Sequence, residues 1–244
     1  MKKICSYFMF IFCLIMLIGC KDNILTPPAS TPVFISGYQI HKDDHTFVLE
    51  QMIRPVPGKT SGFLLIIDGV FSDNKQFLLA QKLRILDSKT GDEKQSFSLS
   101  FNGHPFEIAA LPLSSELSGE LVIEDLNFDG YSDFRILMDA GTAGTDVYHY
   151  WVWNNVKKQF DQSAELESLS LCNPEFDATS KTIASYYADS AVDSEERIYR
   201  YIGGKPKMTK WTKYHYDSDM EKLHVTTVEL REGGLFVTES YRDE

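Results

Sequence analysis

From residue 34 to its end, the chain is divided into short runs of apolar or alternating residues, rich in β-branched and aromatic side chains, that recur every ~8–14 residues. Typical runs are 46–53, 134–138 and 147–153. Between runs lie glycine turns, at residues 89–92, 203–204 and 233–234, where glycine permits the positive φ of a tight hairpin. Residues 75–86 are the strongest helix candidate. The pattern predicts an all-β, antiparallel fold, whether sandwich, barrel or propeller.

The N-terminal end is typical of an export signal. Lys2 and Lys3 precede an apolar stretch over residues 7–18, which is too short for a comfortable membrane span. The stretch ends in Leu-Ile-Gly-Cys at residues 17–20, which resembles the lipobox of bacterial lipoproteins. The resemblance implies cleavage before Cys20 and lipidation of its thiol. Several acyl chains on this residue would anchor the protein stably, whereas one chain anchors it weakly.

We therefore expect three segments: a leader over residues 1–19, a lipidated tether over 20–32 with three prolines, and an all-β domain over 33–244. Lys21 stands where an Asp would signal retention in the inner membrane, which favours the outer membrane and a domain that faces the periplasm. Cys172 is then the only cysteine left with a free thiol, and we expect it to be a small buried apolar residue rather than a reactive thiol.

The charge limits the classes of partner. Without the leader, 22 basic residues stand against 35 acidic ones, a formal charge near −13. Such a surface repels a phosphate backbone, so nucleic acid is not an expected partner. It would attract basic proteins instead.

An acidic loop carries the clearest chemistry. Oxygen side chains occupy positions 1, 3, 5 and 9 of the loop that begins at Asp125, with a glycine at position 6 and a backbone carbonyl available at position 7. This is the ligand spacing of a calcium loop, although the position-12 glutamate of an EF-hand is absent and strand-like runs flank the loop. The alternative is a metal-free turn. The predicted calcium ligands are Asp125, Asn127, Asp129, the carbonyl of Tyr131, and Asp133.

A second loop, over residues 139–146, contains small residues and leads into the aromatic strand 147–153. It is not a phosphate loop, because it lacks the Gly-Lys-Ser/Thr ending. Alternation predicts Tyr148 and Tyr150 on one face of the strand, and His149, Trp151 and Trp153 on the other.

The residues give no positive evidence for an enzyme. Glu124 and Asp125 are adjacent on a strand and would point to opposite faces, so they would not form an acid–base pair. The histidines show neither metal spacing nor a nucleophile elbow. We expect a protein without catalytic activity.

Four stretches together resemble bacterial envelope proteins related to periplasmic lysozyme inhibitors and to immunity proteins of antibacterial secretion systems. They are a strand–turn–strand unit, the acidic loop, the small-residue loop with its aromatic strand, and a later strand pair, at residues 83–99, 123–137, 140–160 and 169–187. The resemblance implies a compact β-propeller-like fold with bound calcium. It also implies a loop that docks into the cleft of a peptidoglycan hydrolase.

Carried over by position, that partner loop is 140–148, with Tyr148 as its aromatic anchor. Thr145 and Asp146 depart from the family pattern, which has an Asn-type residue after the glycine. The alternative is a calcium-stabilised envelope module that binds a glycan or a protein without inhibiting it. The partner-binding residues expected from the resemblance are Gly141, Thr142, Gly144, Thr145 and Tyr148.

Overall fold

A computed structural model describes residues 33–35, 38–43, 46–73, 77–110, 120–140 and 145–242. For 33–43, 101, 109–110 and 140 it describes the backbone alone. These residues lie within one compact unit, Pro32–Glu244. The predicted leader and tether over residues 1–32, with Cys20, and the predicted partner residues Gly141, Thr142 and Gly144 lie outside the described residues. Within the described ranges, no helix has the length and apolarity to cross a bilayer.

The first sheet is antiparallel and runs in the order β1-β2-β3-β4-β5-β8-β7, with β6 paired to the second half of β5. Its strands are β1 (Val33–Ile35), β2 (Tyr38–Asp43), β3 (Thr46–Ile53), β4 (Phe63–Phe71), β5 (Phe77–Asp87), β6 (Glu93–Ser98), β7 (Ser100–Phe101) and β8 (His104–Ala110).

The second and third sheets follow in chain order and are also antiparallel. The second sheet has the order β12-β11-β10-β9, and the third runs from β13 to β18 in sequence. Their strands are β9 (Leu121–Glu124), β10 (Asp133–Ala140), β11 (Asp146–Asn154), β12 (Gln159–Gln162), β13 (Glu175–Asp177), β14 (Thr182–Ala188), β15 (Asp193–Ile202), β16 (Lys205–Asp217), β17 (Lys222–Arg231) and β18 (Gly234–Arg242).

One short helix, α1 (Ala164–Glu167), lies between the second and third sheets in sequence. The hydroxyl of Ser163 caps it by accepting a hydrogen bond from the Leu166 amide. The prediction of an all-β, antiparallel fold is confirmed. The propeller-like arrangement stays a prediction.

The strongest helix candidate, residues 75–86, is a strand where the structure describes it, because residues 77–86 belong to β5. The buried positions on β5 are Leu78, Ala80, Leu83 and Ile85. A register shift opposite Asp68 and Gly69 breaks their alternation and gives a spacing that imitates a helix. Gly69 is required there, since a Cβ would collide with the Phe47 ring and the Leu79 carbonyl oxygen.

Two hydrophobic cores occupy opposite faces of the second sheet. The first core packs that sheet against the first sheet and includes Phe134, Trp151 and Trp153. The second packs it against the third sheet and includes Tyr148 and Tyr150. The alternation predicted for the aromatic strand is therefore confirmed by β11, and the second sheet lies between the other two.

Polar contacts also join the sheets. The side-chain amide of Gln95 on β6 donates to the Phe160 carbonyl at 2.7 Å and accepts from the Phe160 amide at 2.8 Å. On the other face, an Arg135 nitrogen donates to the Pro174 carbonyl at 2.8 Å. These bonds fix the register of the second sheet against both neighbours.

Candidate functional site

The acidic loop connects β9 to β10, two antiparallel strands in which Asp133 pairs with Glu124. Two of its residues have positive φ, 60° at Phe128 and 89° at Gly130. These values turn the chain sharply enough to bring successive oxygen side chains to the inside of the loop. The expectation that strands flank this loop is confirmed.

Loop amides already donate to the acidic side chains. The two carboxylate oxygens of Asp125 accept from the amides of Asp129, at 3.0 Å, and Gly130, at 2.8 Å. Asn127 accepts from the Asp129 amide and donates to the Asp129 carboxylate, both at 3.0 Å. Asp129 also accepts from the Tyr131 amide at 3.0 Å. This network holds the loop in shape by itself.

Asp133 is the buried member of the set, with 0% of the residue exposed. Its carboxylate accepts from the amides of Leu126, at 3.0 Å, and Trp153, at 2.7 Å. Burial raises the pKa of this carboxyl to about 7, and the negative charges of Asp129 and Asp125 act in the same direction. The two hydrogen bonds lower the pKa but do not offset the effect of burial. The ionised carboxylate is therefore disfavoured where no cation compensates it.

The donors fit calcium in kind, since they are hard oxygens grouped around a turn with a buried carboxylate. Among the described residues, no three His, Cys, Asp or Glu side chains converge as a metal cluster. The predicted set depends on the Asn127 amide and the Tyr131 carbonyl as well, so the calcium site stays a prediction.

The expected partner loop joins β10 to β11, where Ala140 pairs with Asp146. Its stem is braced from the side. The Asp146 amide donates to the Asn173 side chain at 2.8 Å, the Asn173 amide returns a bond to the Asp146 carbonyl at 2.9 Å, and Val147 forms a bridge to Cys172. Thr145 at the end of the loop is half-buried.

Tyr148 lies in the second core, with 8% of the residue exposed. The Arg135 guanidinium lies 4.4 Å from the centre of its ring, and Arg135 also pairs with Glu124 at 2.8 Å. Burial raises the pKa of the Tyr148 hydroxyl. The structure therefore places the expected aromatic anchor inside the protein, and its contribution to stability comes from packing.

His149 faces the first core, as predicted, and is fully engaged there. It stacks on Phe106 with ring centres 4.8 Å apart and pairs with Glu167 at 2.6 Å. Gln162 donates to the same carboxylate at 2.8 Å. Although burial acts to raise it, the pKa of Glu167 is lowered by the hydrogen bonds from His149 and Gln162. This histidine has a structural role.

Sequence reasoning missed a cleft on the third sheet. A part of about 210 Å³ is lined by residues that include Cys172, Ser185, Tyr187, Glu195 and Arg197. A part of about 250 Å³ shares Tyr187 and Glu195 with it. Cys172 is half-buried and burial raises the pKa of its thiol, which agrees with the expectation of an unreactive cysteine.

The second part of the cleft adds aromatic and charged groups: Asp189, Asp193, Ser194, Trp211 and Lys213. Asp193 and Ser194 belong to β15, Trp211 and Lys213 belong to β16, and Asp189 lies in the turn between β14 and β15. The sequence signal was the frequency of acidic and aromatic residues over β14, β15 and β16. The register that aligns the strands could not be read from the sequence.

No family model and no curated protein matches the chain. One solved structure, described as a Xanthomonas type IV secretion system related protein, is similar to it at 12% identity. The similarity covers 86% of this chain and 98% of that one, with a TM-score of 0.44. A similarity of this size carries no argument about function.

Proposed function

We propose that the chain is a lipid-anchored protein of the bacterial envelope that binds a peptidoglycan hydrolase and inhibits it through the loop between β10 and β11. It acts by binding rather than by catalysis. Cys20 carries the lipid, and the domain faces the periplasm from the outer membrane. The observation that carries the proposal is the rigid stem of this loop.

A loop inhibits well when its supporting strands do not move on binding. Both strands of the stem belong to the central sheet, whose two faces are covered by cores. The Asn173 bonds to Asp146 add a third support at the base of the loop. A short loop of small residues on such a stem loses little conformational entropy when it enters a cleft.

The charge favours the same kind of partner. A formal charge near −13 after removal of the leader steers basic proteins toward the domain, and many lysozymes are basic. The effect is screened by salt, so the association rate should fall as ionic strength rises.

In this proposal, calcium bound at the acidic loop stabilises the stem of the β10–β11 loop. The ligands are those of the acidic loop: Asp125, Asn127, Asp129, the Tyr131 carbonyl and Asp133. Asp133 is the first residue of β10, and β10 forms one side of the stem. A cation at the acidic loop would therefore fix the start of the strand that leads into the partner loop.

The test is inhibition of a panel of lysozymes and secreted muramidases by the full chain, purified in detergent, with calcium and with chelator. We expect stoichiometric inhibition of at least one enzyme. The substitution Thr142→Trp should abolish it by placing a bulky ring in the small-residue loop.

The matched control is Thr179→Trp in the exposed turn between β13 and β14, which should inhibit like the unaltered chain. Absence of inhibition across the panel with a folded protein would overturn the proposal. So would inhibition that survives Thr142→Trp.

A further inference from the structure

We infer that the cleft on the third sheet is a binding site for a saccharide, formed by side chains of β14, β15 and β16. The cleft adjoins the stem of the β10–β11 loop at Cys172, which bridges Val147, but binding there does not depend on a hydrolase as partner. A saccharide is indicated by the combination of partly exposed aromatic rings with an array of charged side chains that can form hydrogen bonds.

Strand register places the side chains in a grid. Tyr187 on β14 pairs with Glu195 on β15, and Glu195 pairs in turn with Lys213 on β16. In the next row, Arg197 on β15 pairs with Trp211 on β16. Residues directly opposite on antiparallel strands share a face, so all five side chains point to the same side of the sheet.

Two aromatic rings offer surfaces to a ligand. Tyr187 is 39% exposed, and Trp211 is half-buried. The indole nitrogen of Trp211 donates to Glu195 at 2.8 Å, which fixes the orientation of the ring. A pyranose ring has an apolar face of C–H groups that packs against such a ring, and this contact needs no charge on the ligand.

The charged groups around the rings are held in place by one another. Glu195 also pairs with Arg197, and Asp193 pairs with the His215 ring at 2.9 Å. The carboxylates accept hydrogen bonds from sugar hydroxyls, and the guanidinium and the Lys213 ammonium donate to them. Because the array is fixed before binding, little side-chain entropy is lost when the sugar arrives.

Other ligand classes fit less well. A phosphate would face the carboxylates of Asp189, Asp193 and Glu195 in the same cleft. A bare cation would have to displace the partners that Glu195 and Asp193 already have. A purely apolar ligand would leave these charges buried without compensation.

The size of the cleft agrees with a short oligosaccharide. Its two parts measure about 210 and 250 Å³ and are joined along Tyr187 and Glu195. Together they reach the lower end of the range of small-molecule sites, about 300–1,000 Å³. The two parts could each hold one ring of a chain that runs across the strands.

The test measures binding of the full chain, in detergent, to two probes: a soluble oligosaccharide of N-acetylglucosamine, by calorimetry, and purified peptidoglycan sacculi, by co-sedimentation. The two probes separate recognition of the glycan alone from recognition of the cross-linked polymer. We expect binding to at least one probe, weakened about tenfold by Tyr187→Ala because the ring contact is lost.

The matched control is Tyr186→Ala. Tyr186 is the preceding residue on β14, is 46% exposed and lies on the opposite face of the sheet. Glu195→Gln and Glu196→Gln form a second matched pair on β15, because Glu195 lines the cleft and Glu196 lies on the opposite face of the sheet. Failure of the folded chain to bind either probe would overturn the inference. So would binding that survives Tyr187→Ala, or that falls equally with Tyr186→Ala. None of these results would contradict the proposal that the β10–β11 loop inhibits a hydrolase, which is tested separately by the inhibition assay.

Discussion

At the scale of single residues, burial decides what Tyr148 can do. Its ring packs under the Arg135 guanidinium and within the second core, beside Tyr150 and Leu137. The family resemblance implied that this residue is the aromatic anchor of the partner loop. Which of two adjacent aromatic residues reaches the surface depends on the sheet that covers the strand, and a single strand does not contain that information.

Substitution of Tyr148 should therefore change stability before it changes binding. Tyr148→Ala should lower the free energy of unfolding by about 3 kcal/mol, because it removes a buried ring. Tyr148→Phe keeps the ring and should stay close to the unaltered chain. Tyr186→Ala, at an exposed ring, should cost less than about 1 kcal/mol. Urea unfolding of the three variants measures this, and a stable Tyr148→Ala would contradict the core assignment.

Glu120 gives a prediction about pH. Burial raises the pKa of its carboxyl above the ordinary value of 4.5, and the charge of Asp146 adds to this. The folded protein then holds the proton more tightly than the unfolded chain does. Stability is therefore lost as pH rises above 4.5 through the raised pKa of the folded state.

Glu120→Gln should remove that loss. We expect the variant to be more stable than the unaltered chain at neutral pH, and the difference to shrink below pH 4.5, where both side chains are neutral. Thermal unfolding across this pH range measures it. Glu175→Gln, at an exposed glutamate on β13, is the control for the substitution itself. An equal gain at all pH values would contradict burial as the cause.

At the scale of elements, the acidic loop between β9 and β10 has two possible explanations, a calcium site and a metal-free turn. Its amide network is sufficient for a metal-free turn, while the buried carboxylate of Asp133 favours a cation. Asp177, the last residue of β13, provides a comparison, because it accepts from the Thr179 amide at 2.8 Å and the turn that follows it, residues 178–181, contains no carboxylate.

Calcium should raise the melting temperature of the unaltered chain by several degrees over chelator, since a ligand at about 100 times its Kd stabilises by about 2.7 kcal/mol. Asp129→Ala should abolish the calcium-dependent part of this difference. Asp177→Ala should lower the melting temperature but keep the calcium-dependent rise. Differential scanning calorimetry with and without calcium distinguishes them. An unchanged melting temperature of the unaltered chain would exclude calcium.

Strands were the part of the fold that the sequence predicted well. The run 46–53 coincides with β3, and the glycine pair 203–204 forms the β15–β16 turn with φ of 65° and 78°. Local alternation and glycine chemistry suffice there. The cleft was missed for the opposite reason: Tyr187, Glu195 and Trp211 meet through long-range register, and the bulge in β5 hid a strand behind helix-like spacing.

At the scale of the whole molecule, the second sheet is shared by both cores. Trp151 contributes to the first core and Tyr150, its neighbour on β11, to the second. Separation of either outer sheet from the second sheet would expose one buried face of β11 to water. The described residues should therefore unfold together in a single transition.

Two variants test the coupling. Leu83→Ala on β5 affects only the first core, and Ile183→Ala on β14 affects only the second. Each should cost roughly 2–5 kcal/mol and should shift the whole unfolding curve. Calorimetry and near-ultraviolet circular dichroism should report the same midpoint for each variant. If Ile183→Ala instead split the curve and left a later transition unshifted, the third sheet would be an independent unit.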